Sequence, residues 1–141
     1  MTSSTKNDSV VSIVIDSNVW ISALVFGGKP RQVFERVVQE NVRLLLSEEI
    51  VTEVIRNLKR KFPGFDIDFE TLILGLERNI VWVRLGAVTI TVSRDPDDNR
   101  VLETAVIGHA SVVVSGDKDL LSLGRYQDIA IITPAEFIEI V

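Results

Sequence analysis

The chain has 141 residues, a formal net charge of −5 and 46% hydrophobic residues, which predicts one domain with a core of its own. It has no cysteine and only one histidine, so disulfides, thiolate catalysis and cysteine zinc sites are excluded, and carboxylates are left as the candidates for catalysis. The negative charge argues against nucleic-acid binding through a strongly basic surface, so a phosphate-bearing substrate would need a metal ion or a local basic patch.

The first nine residues are polar and lack the apolar core of a signal peptide. We expect residues 1–9 to form a disordered segment before a single domain that spans residues 10–141. No apolar run approaches the roughly 18 residues that a membrane-spanning helix needs. A cytoplasmic protein without membrane association is therefore predicted.

Strand-like and helix-like patterns alternate in the first half of the chain. Val10–Ile15 is a mostly β-branched run, typical of a strand buried on both faces of a parallel sheet. The apolar stretch Val19–Phe26 ends at two glycines, after which Pro30 is expected to open an amphipathic helix with Val33, Phe34, Val37 and Val38 on its inner side. A second strand is predicted at Val42–Leu46.

The alternation continues to the end of the chain. Ser47 is the predicted N-cap of a helix that runs to about Lys61. Of the two extended runs 81–85 and 88–92, one is expected in the central sheet and the other as an edge strand or a continuation. Further elements are predicted as helices at 69–78, 96–108, 120–123 and from 134, with strands at 112–114 and 129–132. This order predicts a three-layer α/β/α sandwich around a parallel sheet of four or five strands.

Three carboxylates crowd the start of the helix that Pro96 opens. Asp95 is expected to be its N-cap, and Asp97 suits the positive end of the helix dipole. Apolar side chains stand three, four and seven positions after Asp98, at Val101, Leu102 and Ala105. Asp98 is therefore predicted to face inward, where a carboxylate needs a partner such as a bound cation.

Other acids follow predicted strands. Asp16 ends the first strand, and Asp117 and Asp119 follow the strand at 112–114. Parallel strands end at the same edge of a sheet, where ligands bind in α/β folds, so we expect these acids to approach Asp98. A cluster of oxygen ligands without histidine or cysteine favours Mg²⁺ or Mn²⁺. Such a site can activate water and stabilise a phosphate under attack, as metal-dependent nucleases do.

The acidic motifs, in this order on these elements, resemble those of the PIN-domain ribonucleases, and the resemblance covers residues 12–137. They are Asp16-Ser17-Asn18, Glu53 on the helix after the second strand, Asp95-Pro96-Asp97-Asp98-Asn99 and Ser115-Gly116-Asp117-Lys118-Asp119. By this resemblance Asp16, Glu53, Asp98 and Asp117 are the catalytic quartet, and Asp16, Asp98, Asp117 and Asp119 are the metal ligands. Asn18 and Ser115 are then supporting residues. Spacing alone leaves Glu48 and Glu53 as alternatives, and the resemblance selects Glu53.

The resemblance implies a Mg²⁺- or Mn²⁺-dependent endoribonuclease that cleaves single-stranded RNA with metal-activated water, in which Glu53 orients that water or helps to bind a second ion. Short PIN proteins are also similar to VapC-type toxins, which would give this chain an antitoxin partner. A homodimer is expected both from the family and from the apolar stretch Ile21–Phe26, which must bury its second side.

Several alternatives stay open at the level of sequence. A non-catalytic PIN-like scaffold for RNA or protein would share the fold, and a receiver-like phosphoacceptor would need paired acids where Asp16-Ser17 stands. Asp16 and Asp117 could be turn or capping residues, and Glu53 could be solvated. His109 is expected to be a structural or surface residue at the end of its helix. The basic residues Arg56, Lys59, Arg60 and Lys61 are either a solvated face or a guide for an RNA backbone.

Overall fold

The computed structural model describes residues 11–66 and 68–141, so the predicted disordered segment 1–9 lies outside the described residues. The strands are β1 (Ser12–Ile15), β2 (Arg43–Leu46), β3 (Ile80–Trp82), β4 (Val112–Val114), β5 (Arg125–Tyr126) and β6 (Ile129–Ile132). The helices are α1 (Ser17–Val25), α2 (Gly28–Gln39), α3 (Glu48–Lys61), α4 (Phe69–Gly75), α5 (Pro96–Ile107), α6 (Lys118–Leu123) and α7 (Pro134–Ile140).

The strands form one six-stranded sheet in the order β3-β2-β1-β4-β6-β5. The first five strands of this order are parallel, and β5 pairs with β6 in the antiparallel sense. Every residue of β1 and β4 is buried, which requires helices on both faces of the sheet. The predicted α/β/α sandwich with a parallel sheet is thus confirmed.

The antiparallel strand β5 was not predicted. It has only two residues, Arg125 and Tyr126, too few to give an alternating pattern, and it pairs with β6 across a tight turn in which Gln127 adopts a φ of 53°. The run at 88–92 forms no strand, and β3 at Ile80–Trp82 is the edge strand beside β2. Helix α2 begins at Gly28 instead of Pro30, and Val38, expected on its inner side, is 52% exposed.

The predicted caps are present. Ser47 accepts a hydrogen bond from the Ile50 amide, and Asp95 accepts one from the Asp97 amide. Thr133 and Glu136 form a reciprocal capping box at the start of α7. These side chains fix where α3, α5 and α7 begin, and therefore how α3 and α5 approach the sheet edge. Within residues 11–66 and 68–141, none of the helices combines the length and hydrophobicity needed to cross a membrane.

The C-terminal end of α5 approaches the sheet very closely at Gly108. A Cβ atom added there would lie 2.7 Å from Leu45 Cδ1 and 3.0 Å from both the Thr104 carbonyl oxygen and Val83 Cγ2. The Leu45 side chain is fully buried, so it has no free space into which it could move. Glycine is therefore required by packing at this position, and the close contact anchors the helix that carries Asp98.

We expect Gly108→Ala to lower the free energy of unfolding by about 1–3 kcal/mol, the usual cost of overpacking a dense core. The measurement is urea denaturation followed by circular dichroism. Gly75→Ala is the matched control, because a Cβ at the end of α4 would meet nothing within 4 Å. That control should leave stability unchanged or raise it slightly, and equal stability of both variants would show that the contact at Gly108 is not tight.

Candidate metal centre

Three aspartates from separate elements converge at the carboxyl edge of the sheet. Asp16 follows β1, Asp117 follows β4, and Asp98 lies in the first turn of α5. One carboxylate oxygen from each aspartate lies within 4.8 Å of those of the other two. The strand order changes direction between β1 and β4, and the crevice at such a point is where α/β sheets bind ligands.

Ser115 joins two of these aspartates. Its buried hydroxyl donates to Asp16 Oδ2 at 2.8 Å and accepts from the backbone amide of Asp117 at 2.9 Å. Because Asp16 follows β1 and Ser115 follows β4, this hydroxyl connects the ends of two neighbouring parallel strands. The structure thus gives Ser115 contacts that suit the supporting role expected of it.

Two residues that the sequence analysis did not single out hold Asp98. The Ser93 hydroxyl donates to Asp98 Oδ2 at 3.1 Å. Asn99 fixes the position of Ser93, since its side chain accepts from the Ser93 amide at 2.9 Å and donates to the Ser93 carbonyl at 2.8 Å. The loop before α5 has no periodic pattern, and the only signal was a polar Asn99 beside an acid predicted to face inward.

Asp16 and Asp98 are buried, Asp117 is partly buried, and none of the three has a compensating positive charge among the described residues. Asp16 is 2% exposed and Asp98 is 3% exposed. Burial, with a smaller contribution from the neighbouring Asp117 charge, raises the pKa of Asp16 from its ordinary 3.8 to about 6 and the pKa of Asp98 from 3.8 to about 7. Among the described residues none of the three forms an ion pair. Arg100, the cation nearest to Asp98 in sequence, pairs instead with Glu103 at 2.8 Å.

This donor set fits a hard divalent cation. It offers carboxylate oxygens from three side chains, and the described part of the chain contributes no nitrogen or sulfur ligand to it. Mg²⁺ and Mn²⁺ prefer such oxygen ligands. The charge of the cation would also remove the repulsion that now raises the aspartate pKa values.

Glu53 lies near the three aspartates but is not one of the converging group. It is 8% exposed on α3, and burial raises its pKa from 4.5 to about 7, with smaller contributions from the charges of Asp97 and Asp16. Glu48, the alternative left open by spacing, is exposed and lines an open groove beside Trp82 instead. Burial and electrostatic proximity therefore distinguish Glu53 from Glu48.

Two other residues expected at the site lie outside the group. The Asp119 carboxylate is 3.5 Å from the Arg94 guanidinium and about half exposed, while its backbone amide donates to Asp117 Oδ1 at 2.7 Å. Asn18 is exposed, and its side chain makes no hydrogen bond within the described ranges. The contacts of Asp119 thus organise the Asp117 side chain, whereas Asn18 has no contact that defines a role.

Of the basic residues on α3, Arg56 is the one whose contacts place it beside the centre. Arg56, Lys59, Arg60 and Lys61 are all exposed, and the Arg56 guanidinium bridges to Asp97 Oδ2 at 2.9 Å. This ion pair links α3 to α5 immediately beside Asp98. His109 is exposed just after the C-terminal end of α5, whereas Asp98 lies in the first turn of that helix. The His109 backbone has a positive φ, as do those of Asn41 and Gln127.

The fold and the centre together define an α/β domain with an acidic metal-type site at its topological switch point. A family model described as the PIN domain matches residues 12–119. The chain belongs to the PIN-domain family.

Similar proteins agree with this assignment. An uncharacterized protein of Methanocaldococcus jannaschii is 30% identical over 142 aligned residues, which cover 92% of this chain and 90% of that protein. A chain in the structure of VapBC2 from Rickettsia felis bound to a promoter DNA fragment has a TM-score of 0.60 at 11% identity, covering 87% of this chain and 98% of its own. VapC20 of Mycobacterium tuberculosis, described as a sarcin-ricin loop cleaving toxin, gives 0.58 at 12% identity, with 84% and 98% covered. These two structures share the fold.

The raised pKa of Glu53 predicts a pH-dependent stability difference. Between pH 4.5 and about 7 the unfolded chain releases this proton while the folded protein retains it, so rising pH favours unfolding. In EDTA, Glu53→Gln should therefore gain stability relative to the parent as the pH rises through this window. Thermal unfolding at several pH values measures the difference.

Glu49→Gln is the control, because Glu49 is exposed one turn earlier on α3. The relative gain should be absent from this variant. If Glu53→Gln instead lost stability relative to the parent as the pH rose, the Glu53 carboxylate would have a favourable partner when ionised, and its pKa would be lowered rather than raised.

Proposed function

We propose that this protein is a Mg²⁺- or Mn²⁺-dependent endoribonuclease that cleaves single-stranded RNA. The observation that carries the proposal is the convergence of three aspartate oxygens, two from almost fully buried side chains, without an ion pair among the described residues. Buried like charges in this arrangement are unfavourable unless they bind a cation. Catalysis at phosphates is the common use of such centres.

In this proposal Asp16, Asp98 and Asp117 hold the metal. When bound, the cation would lower the pKa of a coordinated water and neutralise charge on the phosphate. Ser115 holds the Asp16 side chain next to the Asp117 backbone, and Ser93 orients Asp98 through Oδ2. The exposed cations of α3 would lie along the path of the RNA backbone as it approaches these acids.

Glu53 and Asp119 have separate proposed roles. Glu53 is buried near the aspartates but not among them, which suits a group that orients the attacking water or helps to bind a second ion. Asp119 would become a metal ligand only by leaving Arg94, and an exposed ion pair of this kind contributes about 0–1 kcal/mol. That cost is small enough for Asp119 to serve as an additional ligand.

A role as the toxin of a toxin–antitoxin pair extends the proposal. It rests on the shared fold of this chain and the VapBC2 and VapC20 structures, the second of which is described as a toxin that cleaves RNA of the sarcin-ricin loop. The open reading frame next to this gene tests it. A small protein with a DNA-binding N-terminal half and a disordered tail would support an antitoxin partner, and its absence would favour a housekeeping nuclease.

A homodimer is also proposed, although fewer apolar side chains of α1 are free to form an interface than the sequence suggested. Helix α1 already packs against α2 and α3 inside the protomer, which buries Val19, Trp20, Ile21 and Ala23. Phe26, at the end of this helix, remains 73% exposed and contacts the Phe62 ring edge to face at 5.7 Å.

We expect light scattering at tens of micromolar to give twice the 15.7 kDa of one chain, and a clean monomer would contradict the dimer.

Asp98→Asn should abolish RNA cleavage and leave the metal-free protein at least as stable as the parent near pH 7. Asparagine retains the shape and can still accept from Ser93, while loss of the charge relieves repulsion by Asp16 and Asp117. Millimolar Mn²⁺ should raise the melting temperature of the parent, since binding at ten times Kd contributes about 1.4 kcal/mol, and this gain should shrink in the variant. A cleavage assay on unstructured RNA and thermal unfolding with EDTA or Mn²⁺ measure these effects.

Asp97→Asn is the matched control, because Asp97 is the adjacent acid but pairs with Arg56 outside the cluster. This variant should cleave RNA and lose at most about 1 kcal/mol. If Asp98→Asn melted clearly lower in EDTA and still cleaved, Asp98 would not be a metal ligand. If the parent bound RNA in Mn²⁺ without cleaving it, the protein would be a non-catalytic PIN-like scaffold.

A further inference from the structure

Ser17 has a buried hydroxyl without a partner at the edge of the acidic centre. It is the first residue of α1, follows Asp16 directly, and is 0% exposed. Its Oγ makes no hydrogen bond to any described residue. Leaving a buried hydroxyl unpaired is unfavourable, and native proteins rarely do so without a functional reason.

Other buried hydroxyl groups of the protein have hydrogen-bond partners. Ser115 bonds to Asp16 and to the Asp117 amide, while Ser47 and Thr104 bond to each other at 2.9 Å. The fold therefore provides partners for the hydroxyl groups on both sides of Ser17. Among the buried side-chain polar atoms of the described residues, Ser17 Oγ and Arg100 Nε alone lack a hydrogen-bond partner, and Ser17 is the one hydroxyl.

The group that faces Ser17 is the Glu53 carboxylate. Helix α1 packs against α3, which carries Glu53, and the Ser17 hydroxyl partly offsets the effect of burial on the Glu53 pKa although the two side chains do not meet the distance and angle of a hydrogen bond. Glu53 is itself buried and forms no hydrogen bond or ion pair with the described residues. A donor and an acceptor thus stand opposite each other, and neither is satisfied elsewhere.

We propose that Ser17 is a positioning residue that donates its hydroxyl hydrogen to the ionised Glu53 carboxylate and holds that carboxylate toward the three aspartates during RNA cleavage. The inference rests on the proposed function for its effect on cleavage. A rotation of the Ser17 side chain is enough to aim the donor, because α1 and α3 are already in contact. The Ser17 hydroxyl is then unpaired while Glu53 is protonated and gains a hydrogen-bond acceptor when Glu53 is ionised.

Ser17→Ala tests the inference through two measurements with opposite signs. In EDTA at a pH well below 7, where the Glu53 carboxyl stays protonated, the melting temperature should rise by about 2–6 °C, because the substitution removes an unpaired buried hydroxyl without leaving a large cavity. In Mn²⁺ the kcat for cleavage of an unstructured RNA should fall by about 10–100-fold with KM unchanged, the usual loss when a residue that orients a catalytic group is removed. The stabilisation by Mn²⁺ should equal that of the parent, since the three aspartates are intact.

Two serine-to-alanine controls carry the same chemical change. Ser22→Ala lies on the same helix, away from the acids, and should leave both the melting temperature and kcat close to those of the parent. Ser115→Ala removes a hydroxyl that makes two hydrogen bonds and should lower the melting temperature in EDTA. A stabilised Ser17→Ala beside a destabilised Ser115→Ala would support an unsatisfied hydroxyl at position 17.

The remaining outcomes overturn the inference in different ways. A lower melting temperature of Ser17→Ala in EDTA would show that the hydroxyl has a structural partner. Unchanged kcat would show that Ser17 does not position Glu53, and a lost Mn²⁺ stabilisation would assign Ser17 to metal binding instead. If the parent cleaved no RNA at all, the proposed function would fail, whereas the comparison in EDTA would still decide whether the Ser17 hydroxyl is unpaired.

Discussion

The rest of this structure depends on three carboxylates held together without a cationic partner among the described residues. Their oxygens lie within 4.8 Å of one another at the carboxyl edge of the sheet, and two of the three side chains are almost fully buried. Desolvation and mutual repulsion therefore act in the same direction, which is why the pKa values of Asp16 and Asp98 are raised. The surrounding fold must therefore hold the three carboxylates together against their mutual repulsion.

The sheet supplies that restraint. Ile15 pairs with Val114 in the register of β1 and β4, so the residues that follow each strand are adjacent, and Ser115 joins them through its hydroxyl. Helix α5 brings Asp98 to the same place, with its start fixed by Asp95 and its end anchored by the close contact at Gly108. A change in strand register would separate the aspartates even if each kept its local structure.

The sequence predicted those parts of the site that are visible as a short motif or a periodic pattern. Buried strands ending in acids, the cap at Asp95 and the inward face of Asp98 all follow from patterns within a few residues, and the structure has each of them. The support from Ser93 and the unpaired Ser17 hydroxyl depend on contacts between elements, for which one sequence gives no signal. The exposed Val38 and the two-residue β5 were missed because packing and a tight turn decide them.

The arginines around the centre do not neutralise the negative charge of the three aspartates. Arg56 pairs with Asp97, Arg94 with Asp119 and Arg100 with Glu103, so each ion pair in the described residues joins a nearby arginine to an acid outside the three aspartates. Within the part of the chain that the structure describes, this leaves protons or an external cation to neutralise Asp16, Asp98 and Asp117. Protons and a metal ion compete for the same oxygens, so metal binding at this centre releases protons and strengthens as the pH rises toward the raised pKa values.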